Sequence, residues 1–354
     1  MKKKGKQEVL LFVLIILLPA RLWSRLVEPP SMADEQWLAR RVDTIFKGTV
    51  IAVTPDPRGD PHYWAKLDGK PMNDNFDAKF RIERVYRGNI ADGASVHFVW
   101  GIQEIFGHDC IDFKPGQHWV VFAENKGGEL TLADDCDGAL AVSPRLGQKL
   151  EGAGWSKQME ADFIAGLGDS DPADRILSLQ RLGGLKLASS RPAIHREIEQ
   201  SQGEEKKWAV YAALRTGDVT VLPLVKDYVT SAGKKGVPEE AMLVEFRWIK
   251  DPAAVPGLLD ILANAPNDDT RQMVLIPLVD NVGDPRAIPA LGESLSSSNG
   301  HILYLAVTGL GKIAHAEACK ISGAGDDEML FRQQVAACKT WWEKTGSKQD
   351  WSTN

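Results

Sequence analysis

The chain has 354 residues, with 42 Lys and Arg against 48 Asp and Glu, a formal charge of −6. An apolar share of 44% and a charged share of 25% are ordinary globular values and exclude a mainly disordered chain. Four Cys exclude a disulfide-dense miniprotein, and a single long apolar run excludes a multispanning membrane protein.

That run lies at the N-terminus. Lys2, Lys3, Lys4 and Lys6 precede the apolar stretch from Val9 to Ala20, the pattern of a secretory signal. Arg21, Leu22 and Trp23 stand where a small-x-small cleavage site belongs, so residues 1–24 read equally as a cleaved signal peptide or an uncleaved anchor. Either way the rest of the chain is expected outside the cytoplasm, in the periplasm or beyond. Residues 1–24 carry five Lys and Arg against one Glu, net +4. The remaining 37 basic against 47 acidic residues, net −10, make nucleic acid an unsuitable partner.

Residues 38–166 read as short strands followed by a helix. Ile45 to Val53 is β-branched and bounded by the turn-rich Pro55 to Asp60. Phe80 to Tyr86 alternates apolar and charged residues, as a half-buried strand does, and Gly88 closes it. Val96 to Trp100 is another strand. Trp119 to Ala123 is almost wholly apolar, as for a strand buried on both faces. Leu130 to Leu132 follows Lys126-Gly127-Gly128, which predicts a hairpin. Strands in succession without helices suggest a small barrel or sandwich, and Trp155 to Ile164 a helix packed on it.

Cys110 and Cys136 flank the hairpin. In an exported chain they favour a disulfide, worth about 3 kcal/mol by loop closure. The competing reading is a metal site with His108, Asp109 and Asp112, which lacks a CxxC pair and a second His at ligand spacing. Asp134, Asp135 and Asp137 lack the glycine and twelfth-position Glu of an EF-hand, and read as a solvated hairpin end.

The strands carry a resemblance. Phe46-x-Gly48-x-Val50, Phe80-x-Ile82-x-Arg84-Val85-Tyr86-x-Gly88 and Cys110-x-x-Phe113-x-x-Gly116-x-x-Trp119 through Ala123, then Leu130 and Cys136, resemble the netrin-like module. That module is the OB-type barrel shared with tissue inhibitors of metalloproteinases. The resemblance implies a barrel. It does not carry the inhibitory activity, because the inhibitors chelate zinc through an N-terminal Cys and no Cys precedes Cys110.

Residues 170–345 contain a repeat. Gly217-Asp218-Val219, Lys250-Asp251-Pro252 and Gly283-Asp284-Pro285 open segments that align at a spacing of 33. Four residues after each Asp come Leu222, Val255 and Ile288; seven after come Val225, Leu258 and Leu291. These are helical steps. Each unit is then two helices joined at an Asp that caps the second, with Pro252 and Pro285 at its first position. N-capping accounts for Asp218, Asp251 and Asp284 better than a carboxylate ladder for a cation. The pattern resembles short HEAT-like repeats; the signatures of ankyrin and tetratricopeptide arrays, whose periods are similar, are missing. Degenerate units are expected at Ile176–Ile198 and Leu303–Ala318. Cys338 lies in a closing helix, and Cys319 and Cys338 are expected to pair. Residues 346–354 read as a tail.

The expected architecture is multidomain: a small OB-like β-barrel followed by an all-α HEAT-like solenoid, joined near 166–172. No HExxH, GxSxG, Walker A loop, GxGxxG or CxxC appears, so no catalytic residue, cofactor or metal is assigned. The expected function is non-enzymatic binding of a protein or peptide on an exported scaffold, touching membrane only through an uncleaved N-terminus. The competing readings are an enzyme with an unrecognised site where barrel and solenoid meet, with converging His and carboxylates, and a protease inhibitor.

Overall fold

A computed structural model describes residues 35–56, 66–67, 70–71, 75–99, 111–134, 137–231, 237–321 and 328–351. The chain divides into two compact units, one of Pro30–Tyr228 with Lys234–Met242, the other built on the chain from Leu243 onward. The expected boundary near 166–172 therefore falls inside the first unit.

The first unit opens with helix α1 (Glu35–Arg41) and strand β1 (Thr44–Pro55). Lys66–Leu67 (β2) and Lys70–Pro71 (β3) pair with each other. Then follow β4 (Asn75–Arg87), β5 (Ser95–Val99), β6 (His118–Lys126), β7 (Glu129–Leu132) and β8 (Ala139–Ala141). Neighbours run β1-β4-β5-β7-β6, and β6 pairs back onto β1, so five strands close a barrel; β8 adds to β6. Closure depends on β1, which serves both sides. Its first half pairs with β6, from Thr44↔Ala123 to Thr49↔His118, and its whole length pairs with β4. Register shifts at Ile45/Phe46, Lys47/Gly48 and Val50/Ala52 bend β1 around the barrel. Gly48 is required there, since a Cβ would lie 2.8 Å from the Arg81 carbonyl oxygen. Among the described residues the ring's narrowest joint is the parallel contact of β5 with β7, two residue pairs, Val96↔Leu130 and His97↔Thr131.

The β6–β7 hairpin turns through Gly127 and Gly128, φ 67° and 98°, as the Gly-Gly pair predicts. Period-two alternation sends Phe80, Ala78, Val96 and Phe98 inward. Phe113 sits among them edge-on, with ring centroids 5.3 Å from Phe80, 4.9 Å from Phe98 and 5.0 Å from Trp119. On β6, Val120, Val121, Phe122 and Ala123 are all buried, as their unbroken apolar run requires.

The helices of this unit are α2 (Trp155–Gly166), α3 (Pro172–Leu185), α4 (Arg191–Gln200), α5 (Gly203–Arg215) and α6 (Leu222–Val229). Helix α2 packs against β4 and α3, and α3 against α5. Asp171 caps α3 by accepting from the Ala173 N–H at 2.9 Å, with Pro172 at the first helical position. The division between the units falls within α7 (Val237–Glu245).

The second unit holds α8 (Val255–Ala263), α9 (Asp268–Pro277), α10 (Ile288–Ser294), α11 (Gly300–Ile313) and α12 (Glu328–Lys344). Its core includes Phe246, Leu258, Ile261, Leu275, Leu278, Ile288, Leu291, Ala306 and Leu310, the repeat's apolar positions and their neighbours. Pro277 lies within α9 and is followed by a wider, π-type turn from Leu278 to Val282, which Gly283 ends at φ 63°. Helix α12 lays Trp342 against Gly292, where a Cβ would lie within 2.0 Å of the indole. The first residues of the expected tail are structured: Gly346–Lys348 form a 3₁₀ turn, and the Trp351 indole N–H donates to the Gly346 carbonyl oxygen at 2.9 Å.

Candidate functional site

The repeat turns hold the three Asp residues that recur at a spacing of 33. Asp251 accepts from the Ala253 N–H at 2.9 Å, and Asp284 from the Arg286 N–H at 2.9 Å. Asp218 accepts from the Thr220 N–H at 3.0 Å and its hydroxyl at 2.6 Å. Each Asp caps a 3₁₀ turn, Val219–Val221, Pro252–Ala254 or Pro285–Ala287, and the α-helix proper begins one residue later. Pro252 and Pro285 start the 3₁₀ turns of the last two repeats, where the first has Val219. In the last two repeats a second Pro, Pro256 or Pro289, lies at the start of the α-helix, where a missing N–H costs nothing.

Polar contacts then step from one repeat to the next. In the second unit Arg286 donates to the Pro252 carbonyl oxygen at 3.0 Å, Lys312 pairs with Asp280 at 2.8 Å, and the Asn281 amide donates to the Arg247 carbonyl oxygen. These partners lie 32 to 34 residues apart, about one period. In the first unit His195 Nε2 lies 2.6 Å from Asp218. Burial pushes the Asp218 carboxyl up, but bonds from Thr220 and His195 outweigh it and hold the group below its ordinary range. The Arg286 guanidinium, hydrogen-bonded to Asp284, likewise holds that carboxyl low. Two aromatic side chains of the second unit remain in water: Trp248 is 54% exposed and Tyr304 46%.

Cys319 and Cys338 are bonded, with sulfurs 1.98 Å and Cα atoms 4.6 Å apart. Cys110 and Cys136 lie outside the described residues, as do His108, Asp109 and Asp135. Asp112 is exposed and pairs with Lys114 at 3.0 Å. Asp134 accepts from the Asp137 N–H at 3.1 Å, closing the turn before β8.

A polar seam joins the barrel wall to helices α2 and α3, and no sequence motif marks it. The register sets Lys47 of β1 opposite Arg84 of β4 and Thr49 of β1 opposite His118 of β6, and the register shift at Lys47/Gly48 brings the extra residue Glu83 to Thr49 and His118 on the barrel's outer side. Lys47, only 2% exposed, donates to the carbonyl oxygens of Ser143, at 2.7 Å, and Arg145. Desolvation lowers its pKa against the pull of Asp162, Glu83 and Asp174. His118 Nδ1 lies 2.9 Å from Glu83, which also accepts from the Thr49 hydroxyl. Asp162 of α2 has a fully buried side chain and accepts from Arg84 at 2.7 Å, the Tyr86 hydroxyl at 2.7 Å and the Gly147 N–H at 2.8 Å. Burial pushes the Asp162 carboxyl up against the lowering bonds from Tyr86, Arg84 and Gly147. Tyr86 is driven well above its ordinary value by burial and by Asp162. The seam gathers a His, carboxylates and a Lys where barrel meets helix. Lys47, Arg84, Tyr86 and Asp162 spend their bonds on one another or on loop backbone, which makes this a fastening of the helices to the barrel.

A second constellation lies elsewhere on the barrel wall. The register sets His97 of β5 opposite Asp77 of β4, and Asp77 opposite Thr54 of β1, two residues before Asp56. His97 Nδ1 is 3.3 Å from an Asp56 oxygen and 3.4 Å from an Asp77 oxygen. Ligand atoms of the three residues lie within 4.8 Å of one another. They are distant in sequence and match no spacing motif; the available signal is the outward parity of Asp77 and His97 beside inward Phe76 and Phe98.

Against known proteins, residues 255–321 match the family model of HEAT repeats. No curated protein matches the chain. Among solved structures, similarity is found to a chain of the complex of CpcE and CpcF of phycocyanin lyase from Nostoc sp. PCC7120. Identity is 19%, coverage is 55% of this chain and 78% of that one, and the TM-score of 0.34 marks a superposition too loose to carry fold or function across. Residues 255–321, from α8 through the turn after α11, are HEAT-like and follow a five-stranded barrel and its attached helices.

Proposed function

We propose that this chain is an exported, non-enzymatic scaffold that binds a protein or peptide on its helical repeats, with the barrel as a netrin-like module. The observation that carries the reading is the repeat array itself: helices capped at a constant spacing and cross-linked turn to turn, of which residues 255–321 match HEAT repeats, with Trp248 and Tyr304 exposed in the same unit. Stacked helical repeats build extended binding surfaces, and half-exposed aromatic side chains are the usual anchors of a protein interface. Export is supported by the Lys cluster before an apolar run and by the Cys319–Cys338 bond, which persists in oxidising compartments. The netrin-like reading rests on the ring of five strands together with the order of Phe46, Phe80, Phe113 and Trp119 in its core. On this reading Cys110 and Cys136 form a second disulfide, the mature chain lies in the periplasm or outside the cell, and nucleic acid is not a partner.

The test places a photo-crosslinking amino acid at 248, 304 and the exposed control positions 149 and 151 of the full chain in its own envelope. The expected result is a discrete cross-linked protein or peptide at 248 or 304, absent at the controls and reduced when the other aromatic is changed to Ala. No such species, together with turnover of a substrate by the purified chain, would overturn the proposal. Intact mass with and without alkylation of thiols then tests export and distinguishes a processed chain from an anchored one.

A further inference from the structure

We propose that Asp56, Asp77 and His97 form a binding site for a zinc-type divalent metal ion on the barrel wall. The three side chains come from the end of β1, from β4 and from β5, so the barrel holds the donors in place. Asp56 is buried, and its N–H donates to the Asn75 carbonyl oxygen at 2.9 Å, which ties the end of β1 to the start of β4.

The position of His97 Nδ1 points to a cation. This nitrogen is buried and has no hydrogen-bond partner, although carboxylate oxygens from two strands lie 3.3 and 3.4 Å away. A protonated Nδ1 would direct its hydrogen at one of them; an unprotonated one faces two acceptors with its lone pair. A cation between the three atoms gives that lone pair and the two carboxylates a common partner. The distances also select among ions. A tetrahedral ion with bonds of about 2.0–2.1 Å sets its ligands about 3.3–3.4 Å apart, matching both separations from His97. An octahedral magnesium site draws adjacent ligands in to about 2.9 Å, and calcium takes six to eight oxygens, so an imidazole beside two carboxylates suits neither. Imidazole with carboxylates suits zinc, and the fourth corner is left for water.

Such an ion would pin β1, β4 and β5 together beside the two-pair joint of β5 with β7. The experiment uses the untagged full chain, stripped with a chelator and dialysed metal-free. Zinc is titrated calorimetrically against a competing chelator, and cobalt is added separately to read the visible bands of a tetrahedral site. The expected result is one zinc per chain, a higher Tm with zinc, and cobalt bands. His97→Ala and Asp77→Asn should each weaken zinc by more than the roughly 10–100-fold that loss of an outer-shell partner causes. His301→Ala, at an exposed position in the second unit, should bind as the unaltered chain does. If His97→Ala fails to fold by circular dichroism, Asp77→Asn decides. Absence of zinc uptake by the stripped chain, or uptake unaffected by Asp77→Asn and by a folded His97→Ala, would overturn the site and leave an ordinary cross-strand ion pair.

Discussion

Replacing Asp162 probes the fastening between barrel and helices directly. Its carboxylate accepts from Arg84, Tyr86 and the Gly147 N–H, and its side chain is fully buried. In Asp162→Ala the Arg84 guanidinium, 13% exposed, loses its buried partner, a change worth about 3–5 kcal/mol. The Tyr86 hydroxyl and the Gly147 N–H are left without an acceptor, at about 1–3 kcal/mol each where no water reaches them. The three losses overlap, since one relaxation relieves several of them, so the expected total is about 4–6 kcal/mol. Asp162→Asn keeps one acceptor oxygen and should fall between the two. The assay is urea unfolding by circular dichroism, with hydrogen exchange on peptides covering residues 75–87 and 155–185 to locate the change. pH supplies a second reading. The folded carboxyl lies above its ordinary value, so across that window the folded chain holds more protons than the unfolded one. This group's contribution therefore declines as pH rises through the window, and Asp162→Asn should remove that component. A loss under about 1 kcal/mol in Asp162→Ala, with exchange of 75–87 unchanged, would refute the view that the seam fastens the unit.

Other outcomes follow from the same structure. Reducing Cys319–Cys338, separated by 19 residues, should cost the second unit about 3 kcal/mol by loop closure, read as a lower urea midpoint of the reduced and alkylated chain. Gly292→Ala should displace Trp342 and destabilise by about 1–3 kcal/mol or more, seen as a shift in tryptophan emission at lower urea. Asp251→Ala should cost about 1 kcal/mol, measured as faster amide exchange at the start of the Pro252–Ala263 segment. Asp218 and Asp284 have lowered carboxyl values, so their contribution is complete above the ordinary carboxylate range and lost as pH falls through the folded value; Asp218→Asn should flatten the acid limb of the stability profile.

The parts of this molecule legible in the sequence are those held by local periodicity. The alternation of Phe80 to Tyr86 became β4, Gly127-Gly128 became the hairpin turn, and the 33-residue spacing reappears in the caps. Less visible was anything set by long-range register. The 3₁₀ turn between Asp251 or Asp284 and its helix was missed because two nearby prolines, Pro252 and Pro256 or Pro285 and Pro289, both fit a helix start, and backbone geometry decides between them. The seam escaped because Lys47, Glu83, His118 and Asp162 come from four separate elements, and their convergence depends on barrel closure. The charged residues of Phe80 to Tyr86 read as the outer side of a half-buried strand, whereas α2 and the loop before it cover that side. Asp56, Asp77 and His97 escaped for the same reason, being adjacent only across strands.

The two-pair joint between β5 and β7 also shapes how the barrel moves. Every other joint in the ring has at least four residue pairs, so opening of the ring should begin where Val96 meets Leu130. The barrel then behaves as a clasp that parts at one place, with the β6–β7 hairpin still hinged to β1 through β6 while β1 and β4 stay paired. Opening at that point would bare the backbone edge of β5 to an incoming strand, so the two-pair joint is also where this otherwise closed ring is most open to strand exchange.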